Sequence, residues 1–418
     1  RQGVYEGLPE KLARPEWQPD FGPAVFNERL GATAVGARDF LVAYNINLNT
    51  TSTRRANAIA FDIREKGRLK KVGDKPVLDE NGDPVWIPGS LKAVKAIGWF
   101  IEEYGIAQIS VNLTNISITP IHVCFEEAVK KADARGVRVT GSEIVGLVPL
   151  RAMLEAGRYF LRKQQRSTGV ADRELIKIAI RSLGLDELAP FVPEERIIEY
   201  AIRDPRPRLV DLSLQAFVEE TASESPAPGG GSVSAALGAL GAALGTMVAN
   251  LSSHKRGWDE RWEEFSDWAD RGKAAHDELL RLVDADTDAF NRVMDAFGMP
   301  KETPEDKARR REAIEAATKQ AIEVPLRVME VALESMAVIE AMAEIGNPNS
   351  VSDAGVGALC ARSAVLGARL NVEINCGGLK DEVYASEVRL RAASMAERAG
   401  ALEATILAAV ERRMAEMA

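Results

Sequence analysis

The sequence has little cysteine and no excess of positive charge, and both absences narrow the class of protein. Three cysteines, Cys124, Cys360 and Cys376, occur in 418 residues, which is too few and too scattered for a disulfide framework or a cysteine-type zinc site. The formal net charge of -9 argues against a general nucleic-acid-binding protein. We therefore expect a cytoplasmic protein with no nucleic-acid partner.

Long runs of large apolar side chains are also absent. The most apolar stretch, residues 233–251, is rich in small residues, so we expect a close-packed internal helix and no membrane span. Residues 1–17 carry neither an opening methionine nor a signal-peptide pattern. They look like the middle of a protein, and we expect that an N-terminal portion precedes them.

Residues 1–208 alternate between strand-like and helix-like patterns. The hydrophobic periodicity predicts a layered α/β or α+β structure with helices packed on a sheet. Within it, Asn81-Gly82 separates two short apolar runs, which is a signal for a tight hairpin. Strands are predicted at residues 38–48, 106–113 and 137–148, helices at 50–67, 91–104, 121–135, 150–165 and 173–183, and the hairpin at 72–89.

After a proline-punctuated basic link at residues 203–208, no strand-like stretch of any length follows. Long helical periodicities separated by short Gly/Pro breaks predict an antiparallel helical bundle. Pro325 lies inside one of them, where we expect a kink. The predicted helices cover residues 212–222, 231–252, 258–297, 304–345, 353–370 and 381–417.

Residues 224–233, ESPAPGGGSV, mark the change from the first kind of sequence to the second. Two prolines, three consecutive glycines and a serine ahead of a small-residue run predict a mobile backbone that leads into a helix N-terminus. Free N–H groups at such an end bind anions. The pattern also fits a loop that ends in a serine cap, and composition leaves both interpretations open.

One carboxylate cluster, LVDADTDAF at residues 282–290, lies inside the predicted bundle. On a helix, Asp284 and Asp288 share a face and Asp286 points roughly the opposite way. Two carboxylates four residues apart repel each other unless they are solvated, and a carboxyl that keeps its proton near neutral pH suits a general acid. A solvated acidic face is the alternative. A calcium loop is set aside because Ala289 replaces the glycine that its sixth position needs.

Polar side chains also interrupt several otherwise apolar segments. Such residues either edge a ligand site or cap the end of an element, and both interpretations stay open. His122 begins a predicted helix with no evident partner, so we expect a structural role for it. The interrupting residues are Asn45, Asn47, Asn112, Asn115, Ser142 and Glu143 in the first half and Asn371 and Asn375 in the second.

Taken in order, these segments resemble one family, the bifunctional formimidoyltransferase-cyclodeaminases. The resemblance runs from about residue 5 to at least residue 378, and its order across two domains is more specific than any single motif. The matching segments are YEGLPEKL, PDFGP, LVAYNINLNT, LKKV, IGWFIEE, VGLVPL, SLGLDELAPF and ERIIEY, then APGGGSVSAALGALGAAL, LVDADTDAF and NPNSVSDAGVGA.

The resemblance implies an α+β fold class, with an α/β formimidoyltransferase C-terminal subdomain followed by an all-α cyclodeaminase bundle. The family's catalytic histidine lies in a portion missing from this chain and His122 does not match it, so we expect weak transferase activity. The 72–89 hairpin is an insertion relative to animal members. The implied boundaries are 1–37 for the tail of the transferase N-terminal subdomain, 38–202 for its C-terminal subdomain, 203–211 for a linker and 212–418 for the cyclodeaminase domain.

Family members act in histidine degradation, and the resemblance implies the same chemistry here. The transferase moves the formimino group of N-formimino-L-glutamate to tetrahydrofolate. The cyclodeaminase then closes 5-formiminotetrahydrofolate to 5,10-methenyltetrahydrofolate with loss of ammonia. Tetrahydrofolate, including its polyglutamylated forms, is thus the implied substrate; no metal is needed, and members assemble as homo-oligomeric rings of dimers.

The resemblance also implies site residues. The proton donor of the cyclodeaminase corresponds best to Asp284, with Asp286 and Asp288 as alternatives. Folate contacts of the cyclodeaminase correspond to Gly229, Gly230, Gly231, Ser232, Asn347, Ser350 and Asp353. The folate-contacting segment of the transferase corresponds to Asp20, Phe21, Gly22, Pro23, Ala24, Val25, Phe26, Asn27, Glu28 and Arg29.

Two other functions remain open at this stage. One is a methenyltetrahydrofolate cyclohydrolase, because helical relatives of the second domain act on that substrate; the adjoining transferase half argues against it. The other is a folate-binding scaffold without turnover, against which the intact LVDAD segment argues.

Overall fold

A computed structural model describes residues 7–33, 35–37 and 39–417. Among these residues, strands are confined to the first half of the chain, and helices alone form the second half. The predicted α+β fold class is therefore confirmed. Arg38, the first residue of the first predicted strand, lies outside the described residues.

The first half begins with a short helix and then alternates strands and helices. Its elements are α1 (Leu8–Leu12), β1 (Val42–Leu48), α2 (Thr53–Ile63), β2 (Arg68–Leu69), β3 (Lys71–Val72), β4 (Lys75–Pro76), β5 (Trp86–Ile87), β6 (Val94–Ile101), β7 (Ile106–Leu113), α3 (Ile121–Asp133), β8 (Val139–Val145), α4 (Leu150–Lys163), α5 (Asp172–Leu183), α6 (Pro193–Arg196) and α7 (Ile198–Ala201).

A four-stranded antiparallel sheet in the order β6-β7-β1-β8 forms the centre of this half. Side chains alternate along β1, where Tyr44 and Ile46 are fully buried in the core that α2 and α3 share with the sheet. The Tyr44 hydroxyl lies 2.8 Å from Ser142 Oγ on β8. Because successive strand residues point to opposite faces, Asn45 and Asn47 lie on the other face of the sheet.

One predicted helix of this half is wrong. Residues 91–104 contain β6, which pairs with β7 along its whole length. On its less buried face Ile97 and Trp99 are 54% and 41% exposed, so large apolar residues occur at both phases of the alternation. The periodicity of this continuous apolar run is compatible with an amphipathic helix as well as with a strand. The pairing with β7 determines that it is a strand.

The predicted hairpin at Asn81-Gly82 is confirmed. Gly82 has φ +82°, a left-handed conformation that glycine adopts without strain. The Asp79 carboxylate accepts hydrogen bonds from the backbone N–H groups of Asn81 and Asp83, both at 2.9 Å. This side chain closes the turn in the way that Asp commonly does.

The second half is a bundle of long helices, as the periodicity predicts. Small residues allow its helices to approach closely, since a Cβ on Gly241 would lie 2.8 Å from the Gly357 carbonyl oxygen. Its elements are α8 (Leu214–Thr221), α9 (Gly230–Ser253), α10 (Trp262–Gly298), α11 (Pro304–Ile345), α12 (Val351–Cys376) and α13 (Glu382–Met417).

Helix α9 packs against α10, α11 and α12 at the centre of the bundle. It is also the one helix in the described part of the chain that is long and apolar enough to cross a membrane, and 61% of its most apolar window is buried inside the protein. Ala235, Ala242 and Ala249 on this helix are fully buried in the bundle core.

Helix α11 is continuous through Pro325. Proline has no backbone N–H, so the carbonyl of Ala321 loses its helical partner. The Asn375 side chain of α12 donates Nδ2 to that carbonyl at 2.9 Å. Asn375, which stands out as polar in the sequence, therefore replaces the backbone hydrogen bond that Pro325 removes.

Candidate active site at the start of helix α9

The glycine-rich segment forms the first turn of α9. Gly229 is the N-cap residue and provides no side-chain cap, and the helix begins at Gly230. Ser232 is therefore not the cap that one interpretation of the sequence proposed. The first backbone N–H groups of a helix have no intrahelical partner, so this end can bind an anionic group.

Ser232 and Gly231 face Asp286 of α10. The Ser232 hydroxyl lies 3.2 Å from Asp286 Oδ2 and 2.9 Å from the backbone oxygen of Val283. A Cβ on Gly231 would overlap the Asp286 carboxyl group. A side chain at residue 231 would therefore displace the Asp286 carboxyl group from this position.

The environment of Asp286 favours its protonated form. Burial raises the pKa of Asp286, and hydrogen bonds from the Ser232 hydroxyl and backbone N–H lower it, with a net increase. A carboxyl with a raised pKa beside a helix N-terminus can deliver a proton to a bound ligand.

Asp284 and Asp288 have other surroundings. Asp284 Oδ1 accepts a hydrogen bond from the Leu209 backbone N–H at 2.7 Å, which ties α10 to the segment between the two halves. Asp288 is exposed, as the solvated alternative predicts. The assignment of the proton donor to Asp284 stays a prediction, and the geometry favours Asp286 for that role.

Asn371 lies close to this turn, and Thr287 follows Asp286 in the chain. Asn371 Nδ2 would be 3.5 Å from a Cβ on Gly230, and it donates to the Gly367 carbonyl at 3.0 Å. Thr287 Oγ1 is buried without a hydrogen-bond partner among the described residues. The sequence singled out Asn371 as polar within an apolar run, and no pattern singled out Thr287.

Asn347, Ser350 and Asp353 do not join this site within one chain. The Asn347 backbone N–H donates to Ser252 Oγ at 2.8 Å, which places it near the last turn of α9. At about 1.5 Å per residue, that end lies roughly 30 Å from Ser232. Asp353 lies in the first turn of α12, whereas Asn371, near the other end of that helix, reaches Gly230. Within one chain these residues therefore lie far from Gly229, Gly230, Gly231 and Ser232, because α9 and α12 run antiparallel. Their role as folate contacts stays a prediction.

The predicted folate segment of the transferase, Asp20 to Arg29, forms a local turn. Asn27 Oδ1 accepts from the backbone N–H groups of Arg29 and Leu30 at 3.0 and 2.9 Å. The Phe21 and Val25 side chains are 94% and 74% exposed. Their role as folate contacts stays a prediction.

The sheet face that bears Asn45 and Asn47 carries a second, buried polar cluster. Gln108 Nε2 donates to Asn47 Oδ1 at 2.8 Å, and Asn47 Nδ2 donates to Glu187 Oε2 at 2.7 Å. Gln108 Oε1 is buried with no hydrogen-bond partner in the described part of the chain. Sequence reasoning found Asn47 but missed Gln108, whose signal is a polar side chain in the middle of the strand IAQISVNL.

His122 lies on the opposite side of that sheet, in the helical layer. Its ring stacks on Tyr159 with centroids 4.5 Å apart, and burial lowers the pKa of His122 to about 4. The neutral, stacked ring agrees with the structural role expected for it. Within the described residues there is no group of three or more His, Cys, Asp or Glu side chains that could hold a metal ion.

The fold and the site together define a class: a two-part α+β protein whose helical bundle presents a half-buried carboxyl group, that of Asp286, at the N-terminal end of a helix. Comparison with known families agrees with this division. Residues 1–38 match the formiminotransferase domain, N-terminal subdomain, residues 43–203 match the formiminotransferase domain, and residues 213–394 match formiminotransferase-cyclodeaminase.

The chain belongs to the formimidoyltransferase-cyclodeaminase family. It is 41% identical over 415 residues to the formimidoyltransferase-cyclodeaminase of Rattus norvegicus, covering 99% of this chain and 74% of the relative. A methenyltetrahydrofolate cyclohydrolase of Methylorubrum extorquens is 37% identical over 202 residues, 48% of this chain and 97% of that protein. A glutamate formimidoyltransferase of Thermoplasma acidophilum is 37% identical over 176 residues, 42% of this chain and 51% of that protein.

Proposed function

We propose that the helical half is a formimidoyltetrahydrofolate cyclodeaminase of histidine degradation, joined to a glutamate formimidoyltransferase. The family membership supports the pair of activities. The observation that carries the cyclodeaminase assignment is the half-buried Asp286 carboxyl group, which lies against Gly231 and Ser232 at the start of α9.

The proposed reaction needs one proton donor. N10 of 5-formiminotetrahydrofolate attacks the formimino carbon, and its own proton passes to the formimino nitrogen. Asp286 then protonates this nitrogen, and the bond between the former formimino carbon and this nitrogen breaks. Ammonia departs, and the 5,10-methenyl cation remains. A protonated carboxyl group near neutral pH is what this departure requires, and burial of Asp286 favours that state. The N-terminal turn of α9 offers N–H groups to an anionic part of the folate.

A comparison of three carboxylates tests this assignment. Asp286→Asn should lower the rate of 5,10-methenyltetrahydrofolate formation about 100-fold or more, since general acid catalysis contributes roughly 10²–10⁴-fold. Asp284→Asn retains the oxygen that accepts from Leu209 and should keep most of the activity, and Asp288→Asn should keep all of it. Full turnover in Asp286→Asn, together with loss of activity in Asp284→Asn, would identify Asp284 as the proton donor instead.

The same assay separates the alternatives. A cyclodeaminase accumulates the methenyl product and releases one equivalent of ammonia, whereas a cyclohydrolase consumes added 5,10-methenyltetrahydrofolate. A folate-binding scaffold does neither. The transferase half present in this chain favours the first outcome.

For the first half, we propose that the polar sheet face around Asn47 and Gln108 contributes to the site for formimino transfer from N-formimino-L-glutamate to tetrahydrofolate. The orphaned Gln108 Oε1 supports a ligand contact there. Gln108→Leu should lower transfer to tetrahydrofolate while cyclodeamination of supplied 5-formiminotetrahydrofolate stays unchanged. Equal transfer by the variant would remove Gln108 from this site.

The protein is further proposed to be a cytoplasmic homo-oligomer. Leu240 on α9 and Leu359, Leu370 and Ile374 on α12 are 56%, 46%, 70% and 76% exposed, and such an apolar surface suits a contact between copies. Sedimentation of the purified protein should give a mass above that of one chain. The three cysteines are free, which suits a reducing compartment, and cell fractionation tests the location.

A further inference from the structure

The Ser232 hydroxyl lies within hydrogen-bond distance of two acceptors. It lies 2.9 Å from the Val283 backbone oxygen and 3.2 Å from Asp286 Oδ2. A serine hydroxyl carries one proton, so it makes one good hydrogen bond at a time. Which acceptor receives that bond must depend on the charge of Asp286.

When Asp286 is protonated, both acceptors are neutral and the shorter distance favours Val283. When Asp286 is ionised, a hydrogen bond to its carboxylate is charge-assisted and about twice as strong as a neutral one. Rotation of the hydroxyl then transfers its hydrogen bond to Oδ2. Ser232 is fully buried, so its hydroxyl stays beside these two acceptors in either state.

We infer that Ser232 is a positioning residue whose hydroxyl rotates from the Val283 carbonyl to Asp286 as this acid gives up its proton. The inference rests on the proposed cyclodeaminase function. As the carbon–nitrogen bond breaks, one proton moves from Asp286 to the departing nitrogen, while Ser232 keeps its own proton and only reorients. Its hydroxyl therefore stabilises the carboxylate that forms during the reaction and helps this half-buried acid to release its proton.

Charged side chains on α10 and on the elements packed against it have other partners or are solvated. The pKa of Asp286 reflects burial and the Ser232 hydrogen bonds. On the same helix Asp284 is bonded to Leu209 and Asp288 is exposed. On the packed elements, Arg206 pairs with Asp204, Arg208 with Asp211, Lys319 with Asp381, and Glu373 with Arg389.

The chain contains a matched control for this role. Ser234 is also buried, and its hydroxyl donates at 2.7 Å to the Gly230 carbonyl of its own helix. Both serines lie on α9, and replacement of either one by alanine removes one buried hydroxyl group. Only Ser232 reaches the carboxyl group.

The test is the pH profile of kcat for cyclodeamination in the full chain. Ser232→Ala should lower kcat about tenfold, because hydrogen bonds to charged groups are the stronger class. It should also move the alkaline limb of the profile upward by about one pH unit, while KM changes less than twofold. Ser234→Ala should leave kcat and the profile unchanged, and Ser232→Thr, which restores a hydroxyl, should recover most of both effects. Identical profiles in Ser232→Ala and Ser234→Ala would overturn the inference, as would a folded Ser232→Thr that behaves like the alanine variant.

A second measurement does not depend on turnover. Carboxyl ¹³C labelling of aspartate, with Asp286→Asn to identify the signal, gives the titration of Asp286 directly. Ser232→Ala should move this titration to higher pH, and Ser234→Ala should not. An inactive wild type would overturn the proposed function, whereas an unmoved titration in Ser232→Ala would overturn the role of Ser232.

Discussion

Asp286 is subject to two opposing influences at the residue scale. Burial raises its pKa, and the hydroxyl and N–H of Ser232 lower it. The first favours the protonated form of this carboxyl group, and the second limits the penalty for releasing its proton. Gly231 leaves room for the carboxyl group in this position, because a Cβ there would overlap it.

Removing the charge of Asp286 should change how stability depends on pH. Because the folded-state pKa of Asp286 is raised, its contribution to stability is complete below the unfolded value of about 4 and is lost as the pH rises through the folded value. The asparagine in Asp286→Asn cannot ionise, so this variant should become more stable relative to the wild type as the pH rises through that interval. Urea unfolding at several pH values measures the difference in unfolding free energy between the two proteins. A difference that does not vary with pH would contradict the raised pKa.

Adding a methyl group at residue 231 should displace the acid. Gly231→Ala should reduce cyclodeamination at least tenfold and cost about 1–3 kcal/mol of unfolding free energy, since it overpacks a filled site. Gly400→Ala is the control, because a Cβ there meets nothing within 4 Å inside helix α13. That variant should be neutral or stabilising by up to about 1 kcal/mol. Wild-type activity in Gly231→Ala would show that the carboxyl position is not critical.

At the scale of the element, α10 directs neighbouring carboxylates to different partners. Residues two apart on a helix differ by roughly 200° in direction, so Asp284 meets Leu209 and Asp286 meets Ser232. One helix thus holds the segment between the halves on one side and the acid on the other. Helix α11 depends on its neighbour in a similar way, because Asn375 of α12 satisfies the carbonyl that Pro325 leaves free.

A double-mutant cycle tests the link between α11 and α12. Asn375→Leu should cost about 1–2 kcal/mol of unfolding free energy, because it leaves the Ala321 carbonyl without a donor. In a Pro325→Ala background the restored backbone N–H serves that carbonyl, and the cost should fall by about 1 kcal/mol. Chemical denaturation of the four proteins measures the coupling. Additive effects would mean that the two residues act independently.

At the scale of the whole molecule, the two halves meet through buried polar contacts. Lys273 of α10 is 5% exposed and lies 2.7 Å from the Asp172 carboxylate of α5. Asn250 Nδ2 of α9 donates to the Gly169 carbonyl at 2.8 Å. Such contacts fix the orientation of the bundle on the first half, because an unpaired charge or carbonyl in this junction would be costly.

Disturbing this junction should separate the unfolding of the two halves. A Cβ on Gly169 would overlap the backbone of Ala269, so Gly169→Val should lower the stability of the junction by about 1–3 kcal/mol. We expect differential scanning calorimetry to show two transitions in place of one, or a wider spacing if the wild type already shows two. Gly298→Ala, where a Cβ has open space, is the control. An unchanged thermogram in Gly169→Val would mean that the halves do not depend on this contact.

Much of the architecture was accessible from the sequence because it depends on local order. Helical periodicity placed α11 at residues 304–345 and an apolar strand placed β7 at 106–113, both with the observed bounds. The turn at Asn81-Gly82, the helix start within the glycine run and the acidic cluster were also found. Each of these follows from a few neighbouring residues, whose spacing determines which side chains share a face.

The tertiary structure alone decided which faces meet. The helical spacing puts Asp286 and Asp284 on different faces but does not say which neighbour each one contacts. The burial that raises the pKa of Asp286 depends on those neighbours. Likewise, the antiparallel packing of α9 and α12 places Asn347 far from the glycine-rich turn, and pairing with β7 makes residues 94–101 a strand. The sequence by itself therefore determined most of the elements and the family. The three-dimensional packing distinguished Asp286 from its neighbours, because proton affinity depends on contacts between residues far apart in the chain.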